Sequence, residues 1–331
     1  MKKISTLLFC LVAFSSFAQQ NLNDLLAAGA SDAKRFAADY FAPGNEAAMY
    51  SISNGWFNSA ETRGILGFEI SVIGNITLTK SEDRAFLMNA SDYENISFTD
   101  GSSSKNVATI LGDIEGVKVN IGDGLATTTV ELPTGLASIG VKFVPSGYLQ
   151  ASLGIFKGTE IKARFFPKVD VDDVNVGFYG VGLQHEFTKW LPGSSLWPVA
   201  ISGLVAYTHL NGDYDFTASS AVNGDNQRFN ATMNTWVFQA IASTKLPIIN
   251  FYGSIGFISG KATTDLLGTY MIQEGPFQSE TITDPFSIKN KINGVRTTVG
   301  AKLKLGFFRL NADYTLADYQ NVTVGLSFGF R

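Results

Sequence analysis

The chain is poor in the residues that most soluble folds and most enzymes depend on. Cys10 is the only cysteine in 331 residues, so no internal disulfide can form. Charged residues make up 16% against roughly a quarter in an ordinary soluble domain, and proline numbers only nine. The 45% hydrophobic content excludes a disordered chain, which lacks apolar surface to bury. His185 and His209 are the only histidines, and no phosphate loop, zinc motif or dinucleotide fingerprint accompanies them. A net charge of −4 argues against a nucleic-acid partner, which would want a basic face. Glycine (33 residues) and phenylalanine (26 residues) are abundant. Each glycine inside a helix loses ~1 kcal/mol against alanine, so this composition suits extended, closely packed backbone and not a helical bundle.

Met1-Lys2-Lys3, the apolar run Ile4 to Phe17 and the small residues Ser16 and Ala18 predict a signal peptide over residues 1–18. Its removal takes Cys10 and leaves an acidic excess of six. The expected organisation is a leader (1–18), an N-terminal helix or plug segment (19–63) and a barrel (64–331). The longest uncharged window, Trp190 to Gly212, contains Pro192, Gly193 and Pro198, which break a helix. An exported apolar chain without a spanning helix has one other way through lipid, a closed barrel that satisfies its own backbone.

Period-two patterning supports that solution. Val322, Val324, Leu326, Phe328 and Phe330 share one face, and Thr323, Gly325, Ser327, Gly329 and Arg331 the other. Ten such residues, tilted about 40°, span roughly 25 Å, the height of an outer-membrane apolar band. The alternation recurs over Leu66–Val72, Glu160–Phe165, Tyr179–Phe187, Ile249–Phe257, Val295–Leu305 and Phe308–Leu316. A soluble β-sandwich would usually use strands of ~5–6 residues. Trp190, Trp197, Tyr207, Trp236, Tyr252, Tyr314 and Phe330 flank the runs as interfacial girdles would. The expectation is an all-β protein: an antiparallel transmembrane β-barrel of about 12–14 strands with an N-terminal helical plug segment.

Three- and four-residue spacing predicts a helix over Asn21–Tyr40, with Asn23 as N-cap and Pro43-Gly44 as terminator. Leu25, Leu26, Phe36 and Tyr40 are its apolar positions, either plugging the lumen or packing beneath the barrel. Residues 80–135 are irregular and rich in turn residues. Glu160, Lys162, Arg164, Arg296, Lys302, Lys304, Arg309, Asp313 and Arg331 fall on lumen faces, because charge facing lipid at midplane costs ~2–4 kcal/mol. They form either structural ion pairs in a hydrated lumen or a basic wall for anionic head groups. Asp170-Val171-Asp172-Asp173 could hold Ca²⁺ but lacks EF-hand spacing and reads as a solvated turn. Both histidines fall on outward or rim positions. No catalytic residue, metal or cofactor is therefore assigned, and no enzyme is expected.

Gly55-Trp56-Phe57-Asn58-Ser59-Ala60, Gly67-Phe68-Glu69, the stretch Gln150 to Glu160, Arg164-Phe165-Phe166-Pro167 and the end Gly325 to Arg331 resemble a Bacteroidetes outer-membrane family without an assigned activity. That family is distantly similar to the long-chain fatty-acid transporters of the FadL type. The resemblance implies 14 strands, an N-terminal plug and passage of hydrophobic molecules through a side opening. The FadL-type Asn-Pro-Ala is absent, with Pro43-Gly44-Asn45 only a loose echo. The expected function is FadL-like passive transport of small hydrophobic molecules, or a structural or secretion-accessory role without transport. The expected location is the Gram-negative outer membrane. Expected partners are its lipid, the barrel-assembly machinery during biogenesis and a hydrophobic small-molecule ligand.

Overall fold

The computed structural model describes residues 25–122, 127–171, 173–193, 197–215, 217, 223–273 and 279–330. Ten strands among them form a closed antiparallel barrel. They are β1 (Phe68–Leu78), β2 (Phe143–Phe156), β3 (Thr159–Val171), β4 (Val174–Glu186), β5 (Val199–Asp215), β6 (Arg228–Thr244), β7 (Ile249–Leu267), β8 (Phe286–Leu305), β9 (Phe308–Leu316) and β10 (Asn321–Phe330). Each pairs with its sequence neighbour, and β1 pairs with β10 to close the ring.

The registers fix the tilt. From Val72, cross-strand partners run through Leu149, Phe165, Tyr179, His209, Asn234 and Lys261 to Lys291. The other way round, they run through Leu326 and Leu310 to Leu303. The two paths reach β8 twelve residues apart, a shear that tilts ten strands by about 40°.

Ten strands replace the expected 12–14, and the wall starts at Phe68, not Gly64. The surplus alternation belongs to short strands outside the wall. Ala85–Asn89 pairs with Ser104–Ala108, Lys118–Ile121 stands between Ile96–Phe98 and Thr128–Glu131 and pairs with both, and Thr269–Gln273 pairs with Ser279–Thr283. β5 to β8 are 17 to 20 residues long, more than a membrane requires, so length also gives no strand count.

The outer face carries the apolar half of the alternation: Val324, Leu326 and Phe328 are each about half exposed. On β4 to β7 the outward apolar run ends at Tyr179, Tyr207, Trp236 and Phe257, and beyond it stand His209, Asn234 and Lys261. Trp190 and Trp197 lie exposed at the opposite end. Tyr252 is not a girdle residue. It points inward, is buried and donates to Asp313 Oδ2 at 2.8 Å.

One end of the barrel has tight turns at residues 157–158, 245–248 and 306–307, with one longer connection at 187–198. The other carries the long insert 79–142 and the 269–283 hairpin, which form a dome. The helix α1 (Ala30–Ile52) starts in this dome and descends into the barrel. In the dome Phe36 stacks on Tyr40 and meets Phe86, Tyr40 Oη donates to the Thr134 carbonyl at 2.6 Å, and Leu25 and Leu26 are fully buried. Inside the wall, Ser51 bonds Ser146 and Ser53 bonds Thr235, each at 2.9 Å.

The helix does not stop at Pro43-Gly44. Pro43 removes the amide that would bond the Asp39 carbonyl, but packing on both sides carries the helix past it. The Ile110 amide of the insert donates to the Tyr40 carbonyl at 3.0 Å, and Tyr319 Oη donates to the Pro43 carbonyl at 3.3 Å. Gly44 is needed there, since a Cβ would run into the Ile110 side chain. The leader, Asn21 and the Asn23 cap lie outside the described residues. No described helix is long and apolar enough to cross a membrane, and most of the Trp190–Gly212 window is strand β5.

Candidate functional site

Past Ile52 the chain leaves the helix and continues through the lumen as an irregular segment to the tight-turn end, where β1 begins. Two buried arginines mark the transition. Arg164 donates to the Ile52 carbonyl at 2.8 Å and to Gln150 Oε1 at 3.2 Å. Arg296 donates to the Ser53 carbonyl at 3.1 Å and to Asn54 Oδ1. A helix C-terminus leaves carbonyls unpaired and carries partial negative charge, so two cations suit it.

The Arg164 guanidinium also lies 3.5 Å from the centre of the Trp56 ring and 4.2 Å from that of Tyr148. The other side of Trp56 rests on Gly180 and Gly182, which face inward on β4 and leave space for the indole. A Cβ on Gly182 would stand 3.0 Å from Trp56 Cζ3. Gly182→Val is therefore expected to displace Trp56 and destabilise the barrel by roughly 1–3 kcal/mol. An earlier heat conversion in cold detergent gels, with a red shift of tryptophan emission, would show it; an unchanged conversion temperature would refute it.

At the tight-turn end the segment is latched by charge. Arg63 pairs with Glu69 at 2.5 Å and with Glu160 at 2.6 Å. Lys162 pairs with Glu160 at 2.6 Å, Arg309 with Glu69 at 2.5 Å and Lys304 with Glu61 at 3.4 Å. Lys302 donates to Asn58 Oδ1 at 2.7 Å, and the Thr62 amide donates to Glu186 at 2.8 Å. Of the charges expected on the lumen face, the eight from Glu160 to Asp313 face inward. Six are buried, while Lys304 and Arg309 are part-exposed. Arg331 lies outside the described residues.

Toward the dome the lumen is apolar. A cavity of about 190 Å³ lies between α1 and the wall, lined by Phe41, Ala48, Ile110, Leu210, Phe229 and Met233 among others. Its polar borders are Asn45 and Thr264, bonded to each other, and Asn175 and Asp213 on outward register positions. A second cavity of about 60 Å³ shares Ala48, Val144, Val176 and Leu210 with it and reaches Pro145, Phe166 and Phe178. Among the described residues no lysine or arginine lines either one.

The second cavity lies at a break in the wall. Pairing of β2 with β3 begins at Leu149–Phe165 and runs only toward the tight turns. Phe143–Tyr148 remain paired with β1, and Phe166 and Val169–Val171 with β4. Among the described residues no ladder joins those two stretches to each other. The seam starts level with Tyr179, at the upper aromatic girdle. Each edge carries a proline, Pro145 on β2 and Pro167 at a register shift on β3. Proline has no N–H to give a ladder, so it belongs on an edge.

The match to known sequences decides the family. The chain belongs to the family of unknown function DUF6588, whose family model matches residues 1–330. No curated protein matches this DUF6588 chain. Its fold is similar to the attachment invasion locus protein Ail of Yersinia pestis (TM-score 0.28, 11% identity, 80% of this chain and 100% of that one). It is also similar to the translocator domain of the autotransporter NalP of Neisseria meningitidis (TM-score 0.34, 10% identity, 89% and 99%). The transport unit of the autotransporter AIDA-I of Escherichia coli gives a TM-score of 0.26 at 9% identity over 87% and 99%.

In this DUF6588 barrel the histidines sit on outward positions. His185 Nδ1 is 2.8 Å from Thr159 Oγ1, and His209 Nδ1 is 2.8 Å from Asn234 Oδ1. The side chains of Asp170 to Asp172 lie outside the described residues, and no metal-binding cluster occurs among those described. Of the apolar helix positions, Leu25, Leu26, Phe36 and Tyr40 all pack in the dome core and not in the lumen. The sequence reading missed Glu69, Glu186, Arg63 and the seam. Pro145 and Pro167, each inside an alternating run, were the available signal for the seam.

Proposed function

We propose that this barrel sits in the outer membrane and lets small neutral hydrophobic molecules pass between its outer mouth and the surrounding lipid. Outer-membrane barrels have short turns on the periplasmic side and longer loops outside, which puts the dome outside. The observation that carries this reading is the unpaired seam beside an apolar cavity, with the lumen beneath it filled. An apolar cavity of ~150 Å³ is enough to take a benzene-sized guest, so the larger chamber suits guests of that order. A fatty-acid carboxylate would find no free cation along it: among the described residues no lysine or arginine lines it, and the Lys168 ammonium at its border is already paired with Asp213 at 3.7 Å. The route is the side passage that a FadL-type resemblance implies, built on ten strands.

Ala48 borders both cavities, so Ala48→Trp fills the path without touching the ion pairs. In cells making the protein, entry of the neutral probe N-phenylnaphthylamine is expected to be faster than in cells lacking it. Ala48→Trp should return that rate to the background. Equal rates for the parent and Ala48→Trp would reject the route.

A second reading has its own support. A lumen occupied by a latched segment and crowned by a packed dome suits a structural or secretion-accessory barrel. A partner chain that stays with the dome through mild detergent extraction, together with unchanged probe entry, would select that reading.

A further inference from the structure

The outer wall carries a group of cations that nothing in the fold uses. Lys261 on β7 is the direct cross-strand partner of Lys291 on β8, and Lys289 stands two residues further along β8. All three are exposed on outward positions. None makes an ion pair or side-chain hydrogen bond among the described residues, unlike the lumen cations. The nearest carboxylate on the same face, Asp265, lies one outward position beyond the Thr263–Lys289 pair and forms no ion pair with them. Like charges directly opposed on a sheet repel, so this arrangement is unfavourable unless an anion sits between them.

Their position indicates which anion. The outward apolar run ends at Phe257 on β7 and Val295 on β8, each four residues short of the lysine pair. That places the ammonium groups just above the hydrocarbon boundary, within reach of head groups once the long side chains bend toward the lipid. The same register row continues through Asn234 and His209 to Tyr179, so polar groups extend the patch along the rim.

We propose that Lys261, Lys289 and Lys291 bind the phosphate of a phosphorylated glycolipid in the outer leaflet and so fix how this face of the barrel meets its lipid. The site is separate from the cavities and stands whether or not they carry a guest. A lysine near an anionic membrane surface contributes about fivefold in affinity, so three together account for on the order of 100-fold.

The test titrates the purified barrel in neutral detergent with lipid A and with its dephosphorylated form, counting retained lipids by native mass spectrometry. The parent should prefer the phosphorylated form, and Lys261→Gln/Lys289→Gln/Lys291→Gln should lose that preference by roughly 100-fold. The corresponding triple arginine variant should keep it, as should Lys118→Gln in the insert. Cold-gel migration shows that each variant is folded. Equal retention of both lipids by the parent, or an unaltered preference in the glutamine variant, would overturn the proposal. Inorganic phosphate that displaces the lipid at millimolar concentration would also overturn it, because the anion would then be a soluble one.

Discussion

Glu69→Ala should unlatch the lumen segment at the tight-turn end. Glu69 is 2% exposed and is the acceptor for Arg63 and Arg309, each at 2.5 Å, and for Asn58 at 3.0 Å, with Lys302 at 3.9 Å. Removing one carboxylate leaves three cations facing each other in a confined space. Breaking a buried pair from one side typically costs about 3–5 kcal/mol, because the other charge is left uncompensated. Glu69→Gln keeps the shape and an acceptor for Asn58 and should fall between Ala and the parent. The measurement is the heat conversion temperature in cold detergent gels, combined with trypsin cleavage after Arg63. Parent-like melting with Arg63 still protected would remove the latch from the account.

The same network supports the ion-pair reading of the lumen charges. A basic wall awaiting an anionic head group needs cations with free donors. Here Arg63 takes both Glu69 and Glu160, Lys162 takes Glu160, and Lys304 takes Glu61. The acceptors come partly from the wall and partly from the chain threaded through it, at Asn58, Glu61 and the Thr62 carbonyl. The geometry is that of a fastening, and an incoming carboxylate would have to displace part of it.

Period-two alternation was enough to show which side chains face the lumen, because a charge in lipid is too costly to misplace. Glu160, Lys162 and Arg164 on β3 could be placed from neighbours two residues away. Alternation says nothing of what stands opposite. Arg63 lies in a segment without periodicity, so its two carboxylate partners were invisible, and Glu69 looked like any other inward polar residue. The helix was misjudged at Pro43 for a related reason. Local propensity ends a helix there, and only the amide of Ile110, 67 positions on, and the hydroxyl of Tyr319 overrule it. The seam needed knowledge of which strand edges face each other, and a single run of sequence carries no such pairing.

Arg296→Met should be more damaging than Arg164→Met, although both remove a buried guanidinium from one helix end. Arg296 serves the Ser53 carbonyl and Asn54 Oδ1, which no thioether can replace. Hydrogen bonds from a charged donor are worth about 1.5–3 kcal/mol each, so losing two removes roughly 3–6 kcal/mol. Arg164 gives one bond to the Ile52 carbonyl and one to Gln150, while much of its contact is with the faces of Trp56 and Tyr148. Methionine can refill that slot, and an apolar replacement of similar volume often offsets the loss of a buried charge. The expected loss there is about 1–3 kcal/mol. Hydrogen exchange of residues 49–56 separates the effects: Arg296→Met should free the amides at the helix end, and Arg164→Met should leave most of them protected. If the two variants exchange alike, the carbonyl bonds are not what holds the helix end, and ring packing around Trp56 carries that role.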